Sequence, residues 1–390
     1  MSNLEADPRA KAEQDSDSEN RGAVWASTMG GHQIGEAAIR LAHSDSTAHI
    51  GTAARMNRAT REHLEELTLV SGATKSSGAG NRALPEPPDP ERTCFERDRD
   101  RILHSPAFRR LSGKTQVFVF PEDHQRTRLT HALEVAQVAV AISRSLGLNL
   151  ALTEAIALGH DCGHGPGGHA SEDAFSPYIP GGYDHAVWGA DTVLQPLNLC
   201  TETLDGVRNH SWSRPAPLTP EGEVVSWADR IAYVCHDFED AAHVGIVMPE
   251  ELPALVRERC GERRSQQLSA FIAAVVQAAR ETGQIGMTDS LAEALTCFRK
   301  FNYERIYMRP ESLAQSATVI RILRALVEYL GLNPKLLPRA EAQHTPLEAD
   351  SVDALAEAVT YVGGMTDRYA FTQAQQLLGW KSNDLPVGIF

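Results

Sequence analysis

From Thr127 to Val362 the apolar residues of this chain recur about every 3.6 positions in one stretch after another, while the two-residue alternation of a strand is nearly absent. That pattern dictates an all-α fold, because each stretch has one apolar face that another helix must cover. Thr127 to Leu146 carries Leu129, Leu133, Ala136 and Val140 and meets a stop at Gly147. A second helix starts from an N-cap at Asn149 and runs through Leu152, Ala155, Ile156 and Leu158 to the pair His160-Asp161, where Gly163 and Pro166 end it. Glu223 to Ala242, Ser269 to Arg280, Leu291 to Arg305, Ser316 to Leu330 and Val352 to Val362 have the same spacing.

Upstream the signals are weaker. Residues 1–60 are mostly Ser, Asp, Glu, Gly and Ala without periodicity, and are expected to form a disordered extension. Arg58 to Val70 suggests a short helix anchored by Leu64, Leu67 and Leu69, and the Gly, Ser and Pro residues between Ser71 and Pro90 read as a linker. Phe95 to Leu111 splits into two helical pieces near Pro106, with alternating charges on a solvated or salt-bridged face. Thr115 to Phe120, which stops at Pro121, is β-branched and aromatic, so at most a small β-hairpin is expected there. No internal repeat is present. Residues 61–390 are therefore read as a single helical domain, with a core region about 92–245 and a C-terminal helical part about 246–390.

The net charge of -14 argues against a surface made to attract nucleic-acid backbones, which needs Lys and Arg patches. A small phosphorylated ligand stays open, since a metal ion and a few arginines can invert the charge of one cleft. No apolar run approaches about 18 residues and the first twenty are polar, so no membrane span is expected and the compartment is read as the cytoplasm. Six cysteines without a CxxC pair read as reduced thiols.

Chemistry concentrates between Ala157 and Glu172, where His160 and Asp161 end an apolar run and a Gly/Pro turn then carries His164, His169 and Glu172. His131 lies in the first turns of the preceding helix. Asp229, Tyr233, Asp237 and Asp240 share one stripe of a later helix, an unfavourable grouping of like charges unless something cationic faces it. Three separated helices thus offer His131, His160, Asp161 and Asp229 to one ion. Mixed imidazole and carboxylate ligation suits Mn, Fe, Zn or Mg and leaves positions open, which implies catalysis.

A His, a His-Asp pair about thirty residues later and a distant Asp is the pattern of the HD superfamily of metal-dependent phosphohydrolases. The segments Glu96–Val119, Arg126–Val138, Ala155–Glu172, Gly181–His210, Trp227–Asp240, Phe298–Pro310 and Tyr361–Ala370 resemble the successive motifs of its deoxyguanosine triphosphate triphosphohydrolase branch, over roughly residues 61–380. The resemblance implies an HD-domain helical fold and hydrolysis of deoxynucleoside triphosphates (dNTPs) to deoxynucleoside and tripolyphosphate. It makes His131, His160, Asp161 and Asp229 the ligands of a divalent ion (Mn, Mg, Fe, Co or Zn). His164 and His169 become active-site histidines, with Glu172 holding or polarising His169, and His185 a phosphate contact. Arg128, on the same helix face as His131, and Arg230 would meet phosphates; Tyr233 and Asp237 would lie near the sugar and Gln116 at the 3′-hydroxyl. A homo-oligomer (tetramer or hexamer) and an allosteric nucleotide are further implications.

The chain departs from the family pattern in two places. Gly165 and Gly167 replace a Pro and an aromatic, which should loosen the turn after the HD pair. Ala186-Val187-Trp188-Gly189 replaces a polar run, so Trp188 is expected to reshape the pocket, and nucleobase preference is left open. Two alternatives stand beside this reading: another phosphohydrolase on the same centre (a 5′-nucleotidase, or a hydrolase of signalling or modified nucleotides), and a catalytically weak protein that senses nucleotides or binds single strands.

Overall fold

Side-chain oxygens set where many of the helices begin. Thr93, Thr127, Asn149, Thr219, Ser351 and Thr366 each accept a hydrogen bond from the backbone of the first helical turn they precede, satisfying a donor that has no partner within the helix. A computed structural model describes residues 20–27, 30–33, 39–51, 55–119, 125–338 and 347–386. Two units separate, Met1–Arg55 and Met56–Phe390. In the first, residues 20–27 are helical and β1 (His32–Gln33) pairs antiparallel with β2 (Arg40–Leu41). Residues 1–19 of the expected extension lie outside the described residues.

Among the described residues the second unit is mainly helical, as the periodicity requires. Its main helices are α1 (Arg58–Thr68), α2 (Cys94–His104), α3 (Arg128–Leu146), α4 (Leu150–Gly159), α5 (His169–Phe175), α6 (Thr201–Asn209), α7 (Pro220–His243), α8 (Arg264–Thr282), α9 (Asp289–Asn302), α10 (Pro310–Leu332), α11 (Val352–Gly363) and α12 (Asp367–Leu378). Apolar on nearly every side, α4 is packed by α2, α3, α6 and α7 and buries Leu152, Ala155, Ile156 and Ala157 completely. Gly147 closes α3 in the left-handed conformation, at φ 70°. Two clusters of buried side chains result. One is built on α2, α3, α4, α7, α8 and α9; the other joins α5, α10, α11 and α12. A cleft of about 690 Å³ runs between them, lined from both sides.

Several expectations need correction. Leu133 is 48% exposed, because the buried face of α3 is carried by Ala132, Val135, Val138, Ala139 and Ile142. The expected linker is packed in place: the Arg82 side chain is almost wholly buried against Asp98, and Thr74 donates its backbone N–H and its hydroxyl to Glu221. In place of a hairpin, the described part of the Thr115–Phe120 run makes one isolated bridge, between Thr115 and Thr127, and Phe120 itself lies outside the described residues. Helices α5, α6 and α12 are too short or too mixed in polarity to stand out by periodicity.

The turn after the HD pair is buried rather than loose. A Cβ on Gly165 would lie 2.6 Å from the Phe175 ring, and one on Gly167 2.4 Å from Val319 Cγ1, with Gly167 also at φ 73°. These glycines let the turn sit directly on α5 and α10. Asp367 ties it down, accepting from Gly167 N at 2.9 Å and from the backbone N–H (2.9 Å) and hydroxyl of Thr115. Beneath it the buried Lys114 ammonium donates to the carbonyls of His164 and Gly363, and burial pushes its pKa down to about 8. Trp188 packs against Tyr183, with ring centroids 5.1 Å apart, and does not line the cleft.

Candidate active site

The end of α4, the first turn of α3 and the middle of α7 converge at one end of the cleft. His131 Nε2 lies 3.1 Å from Asp229 Oδ1, and His160 Nε2 3.8 Å from the same oxygen. These three residues form a group whose ligand atoms all fall within 4.8 Å of one another. Asp161 stands slightly apart, with Oδ2 3.9 Å from His131 Nε2 and Oδ1 3.5 Å from His160 Nε2. Arg128 holds that carboxylate, donating to Oδ2 at 2.7 Å, so its guanidinium contacts Asp161 directly while Nε and one terminal nitrogen have no partner.

These residues fit a divalent cation. His160 Nδ1 donates to the Ala157 carbonyl at 2.7 Å, which leaves its buried Nε2 as a lone pair with no hydrogen-bond partner. A separation near 3 Å between His131 Nε2 and Asp229 Oδ1 is what adjacent ligands on bonds of about 2.1 Å would show. Burial favours a protonated Asp161, yet the neighbouring His160, Arg128 and His164, which surround the carboxylate with donors and positive potential, outweigh it and hold the carboxyl well below its ordinary range. Asp229 is likewise held low against its burial, chiefly by the hydrogen bond from His131.

Four further histidines crowd around this group. His164 Nε2 lies 3.2 Å from Asp161 Oδ1, its ring stacked on His185 at 3.8 Å. Burial, then the Arg128 charge, drives the His164 pKa well down, so this ring is neutral and suits holding rather than giving a proton. His169 differs in being 78% exposed, with Nδ1 2.9 Å from Glu172. His185 Nδ1 lies 3.0 Å from the same Glu172 oxygen, while its Nε2 faces His210 Nε2 at 3.3 Å instead of open cleft. His210, at the end of α6, was not singled out by the sequence, because nothing in its spacing connects it to the HD pair.

The His185–Glu172 contact has a testable pH consequence. Burial lowers the His185 pKa, but the hydrogen bond and charge of Glu172 outweigh it and the net shift is upward; Glu172 itself is depressed, against its burial, by its bonds to His169 and His185. The pair therefore stabilises the fold above the ordinary glutamate pKa and below the ordinary imidazole pKa, and that contribution fades as pH rises through the raised His185 value. In metal-free Glu172→Gln protein, the His185 imidazole is expected to titrate at lower pH than in wild type when followed by NMR. An unchanged titration would refute the pairing.

Toward the mouth of the cleft the wall becomes cationic. Tyr233 Oη accepts from Arg230 at 3.1 Å and from Arg299 Nε at 2.8 Å, and neither guanidinium has a carboxylate partner among the described residues. Arg230 lies over the Trp212 ring, 4.1 Å from its centroid. Gln116 lines the cleft with a buried carbonyl oxygen that lacks a partner. Asp237 lines the cleft as well, but its carboxylate is already engaged: it pairs with Arg126 and accepts from the Tyr307 hydroxyl. Arg126 also reaches Asp240 at 2.7 Å and Glu134 at 3.0 Å, and is the cation that the acidic stripe requires. Neither Arg126 nor Arg299 was legible as a site residue, since both reach the stripe on α7 from segments remote in sequence.

Comparison with known proteins agrees with this geometry. Residues 128–234 match the HD domain family and residues 285–376 the phosphohydrolase-associated domain. A deoxyguanosinetriphosphate triphosphohydrolase-like protein of Caldanaerobacter subterraneus subsp. tengcongensis is 38% identical over 327 residues, covering 82% of this chain and 95% of that one. Proteins of the same description from Desulfatibacillum aliphaticivorans and Clostridium perfringens are each 37% identical, covering 81% of this chain and 97% and 96% of theirs. With His131, His160 and Asp229 gathered as an HD centre and relatives this similar along nearly their whole length, the chain belongs to the HD-domain phosphohydrolases, in the family of deoxyguanosinetriphosphate triphosphohydrolase-like proteins.

Proposed function

We propose that this protein hydrolyses dNTPs at the α-phosphorus, releasing deoxynucleoside and tripolyphosphate. One observation carries the reading: His131, Asp161 and Asp229, with the buried His160 beside them, and the carboxylate-free guanidiniums of Arg230 and Arg299 line a single cleft of about 690 Å³. Arg230, next to Asp229 on α7, and Arg299 give the same cleft more cationic partners than a single phosphate needs, which suits a triphosphate.

His131, His160, Asp161 and Asp229 would hold a divalent ion, which would supply Lewis-acid polarisation of the phosphoryl group and neutralise its charge. The protein's own groups do the rest. Arg128, Arg230 and Arg299 orient the triphosphate and meet the charge that develops at phosphorus. Water forms the new P–O bond as the bond from phosphorus to the 5′-oxygen breaks. His169, exposed to the cleft and braced through Nδ1 by Glu172, gives the departing 5′-oxygen its proton from Nε2. Tyr233, fixed between two arginines, stands as a rigid wall against the sugar and disfavours a 2′-hydroxyl by sterics.

A panel of dNTPs, NTPs and monophosphates with Mn or Mg, resolved by chromatography, tests the proposal. Tripolyphosphate with deoxynucleoside is the expected product pair, from dNTPs well ahead of NTPs. Release of dNMP and pyrophosphate, or turnover of monophosphates alone, would replace it with one of the other phosphohydrolase readings.

A further inference from the structure

His169 faces the cleft as the first residue of α5, a helix of only seven residues, so where its ring sits depends on how the chain enters that helix. The entry is weakly determined by its own sequence. Gly167 and Gly168 stand immediately before His169 at φ 73° and 64°, in a left-handed region through which glycine moves with little resistance. Glu172 braces His169 Nδ1 from within the same helix, which orients the ring on α5 but leaves the backbone at Gly167 to be held by something else.

The holding group comes from the start of α12. Asp367, only 2% exposed, divides its two carboxylate oxygens between two segments. Oδ1 accepts from the Gly167 N–H at 2.9 Å, while Oδ2 accepts from the Thr115 N–H, also at 2.9 Å, and from the Thr115 hydroxyl. One side chain thus joins the backbone two residues before His169 to the backbone one residue before Gln116. Thr115, Gln116, Gly167 and His169 all line the cleft, and Asp367 does not. The joined segments are in close contact: a Cβ on Gly168 would lie 3.0 Å from the Thr115 carbonyl oxygen and 2.9 Å from a terminal nitrogen of Arg128. Taking a carboxylate out of water opposes folding, and an apolar residue would fill this place without that penalty but would offer no acceptor to either segment.

We propose that Asp367 is a positioning residue for proton transfer by His169: it fixes the entry to α5 and so sets His169 Nε2 against the departing 5′-oxygen. The proposal rests on the proposed function in taking His169 as the proton donor. Asn at this position has one acceptor oxygen where the carboxylate has two, so it can hold Gly167 or the Thr115 N–H but not both.

Steady-state rates for a dNTP with Mn are compared in wild type, Asp367→Asn, His169→Ala and the double variant, with folding checked by thermal melting and bound Mn by equilibrium dialysis. Asp367→Asn should lower kcat by roughly 30- to 100-fold with KM near wild type, the scale expected when a catalytic group is displaced by about an ångström. In the His169→Ala background the same substitution should lower kcat by less than about threefold, because the step it serves is already lost. A merely structural role would lower the rate by the same factor in both backgrounds, and that result would overturn the proposal. So would a folded Asp367→Asn with kcat within about threefold of wild type, or one whose KM rises at constant kcat, which would place the effect on Gln116. Asp367→Glu, which keeps the charge and displaces both oxygens, enters the same cycle with the same expectation should the amide not fold. Products are identified throughout. Tripolyphosphate with equal losses in both backgrounds would refute the positioning role and leave the proposed function standing; dNMP with a loss confined to the background that retains His169 would do the reverse.

Discussion

His160→Ala will bring metal-supported dNTP hydrolysis down by on the order of 10³-fold or more. The reason lies in how α4 delivers this ring. Its Nδ1 is committed to the Ala157 carbonyl, so the orphaned Nε2 can only point at Asp229 and Asp161. Alanine removes that donor and leaves a void in a wholly buried place, so the variant also loses some stability. Bound metal separates the two effects: folded variant protein should hold less of the ion than wild type at the same free concentration. Turnover within tenfold of wild type would remove His160 from the centre.

Arg126→Met will cost about 3–5 kcal/mol of folding stability, because it strands charges that the fold has already desolvated. Arg126 sits 8% exposed between Asp237, Asp240 and Glu134, and those carboxylates raise its pKa even though burial opposes the charge. Without it, Asp237 keeps only the Tyr307 hydroxyl. The penalty should shrink as pH falls and the stranded carboxylates protonate, since the ion pairs of the wild type are lost in the same direction. Urea denaturation at pH 7 and pH 5 measures both. A loss under 1 kcal/mol at pH 7 would show that the α7 stripe does not need this cation.

That cation marks where sequence reading reached its limit. The stripe of Asp229, Tyr233, Asp237 and Asp240 is legible from helical spacing alone, and spacing also says that a positive group must face it. Which group does so is decided by tertiary packing: Arg126 enters from the segment before α3, and Arg299 reaches Tyr233 from α9. The long helices and their caps at Thr127 and Asn149 follow from local pattern, since each is set by residues a few positions apart, whereas the grouping of His131, His160 and Asp229 was legible through the spacing of the HD pattern. His210 does not, because its relation to the other histidines exists only once α6 lies beside α4. The turn at Gly165 to Gly168 shows the converse error. Glycine reads as freedom in a sequence, but here its missing side chain admits Phe175, Ser171 and Val319 into close contact, and the turn is held at both ends by Asp367 and Ser171.

The proposed reaction breaks the bond between the α-phosphorus and the 5′-oxygen, and the fate of the attacking oxygen tests it most directly. A single turnover of a dNTP in ¹⁸O-labelled water should put one labelled oxygen in tripolyphosphate and none in the deoxynucleoside. Label in the deoxynucleoside, or in a released dNMP or pyrophosphate, would contradict it.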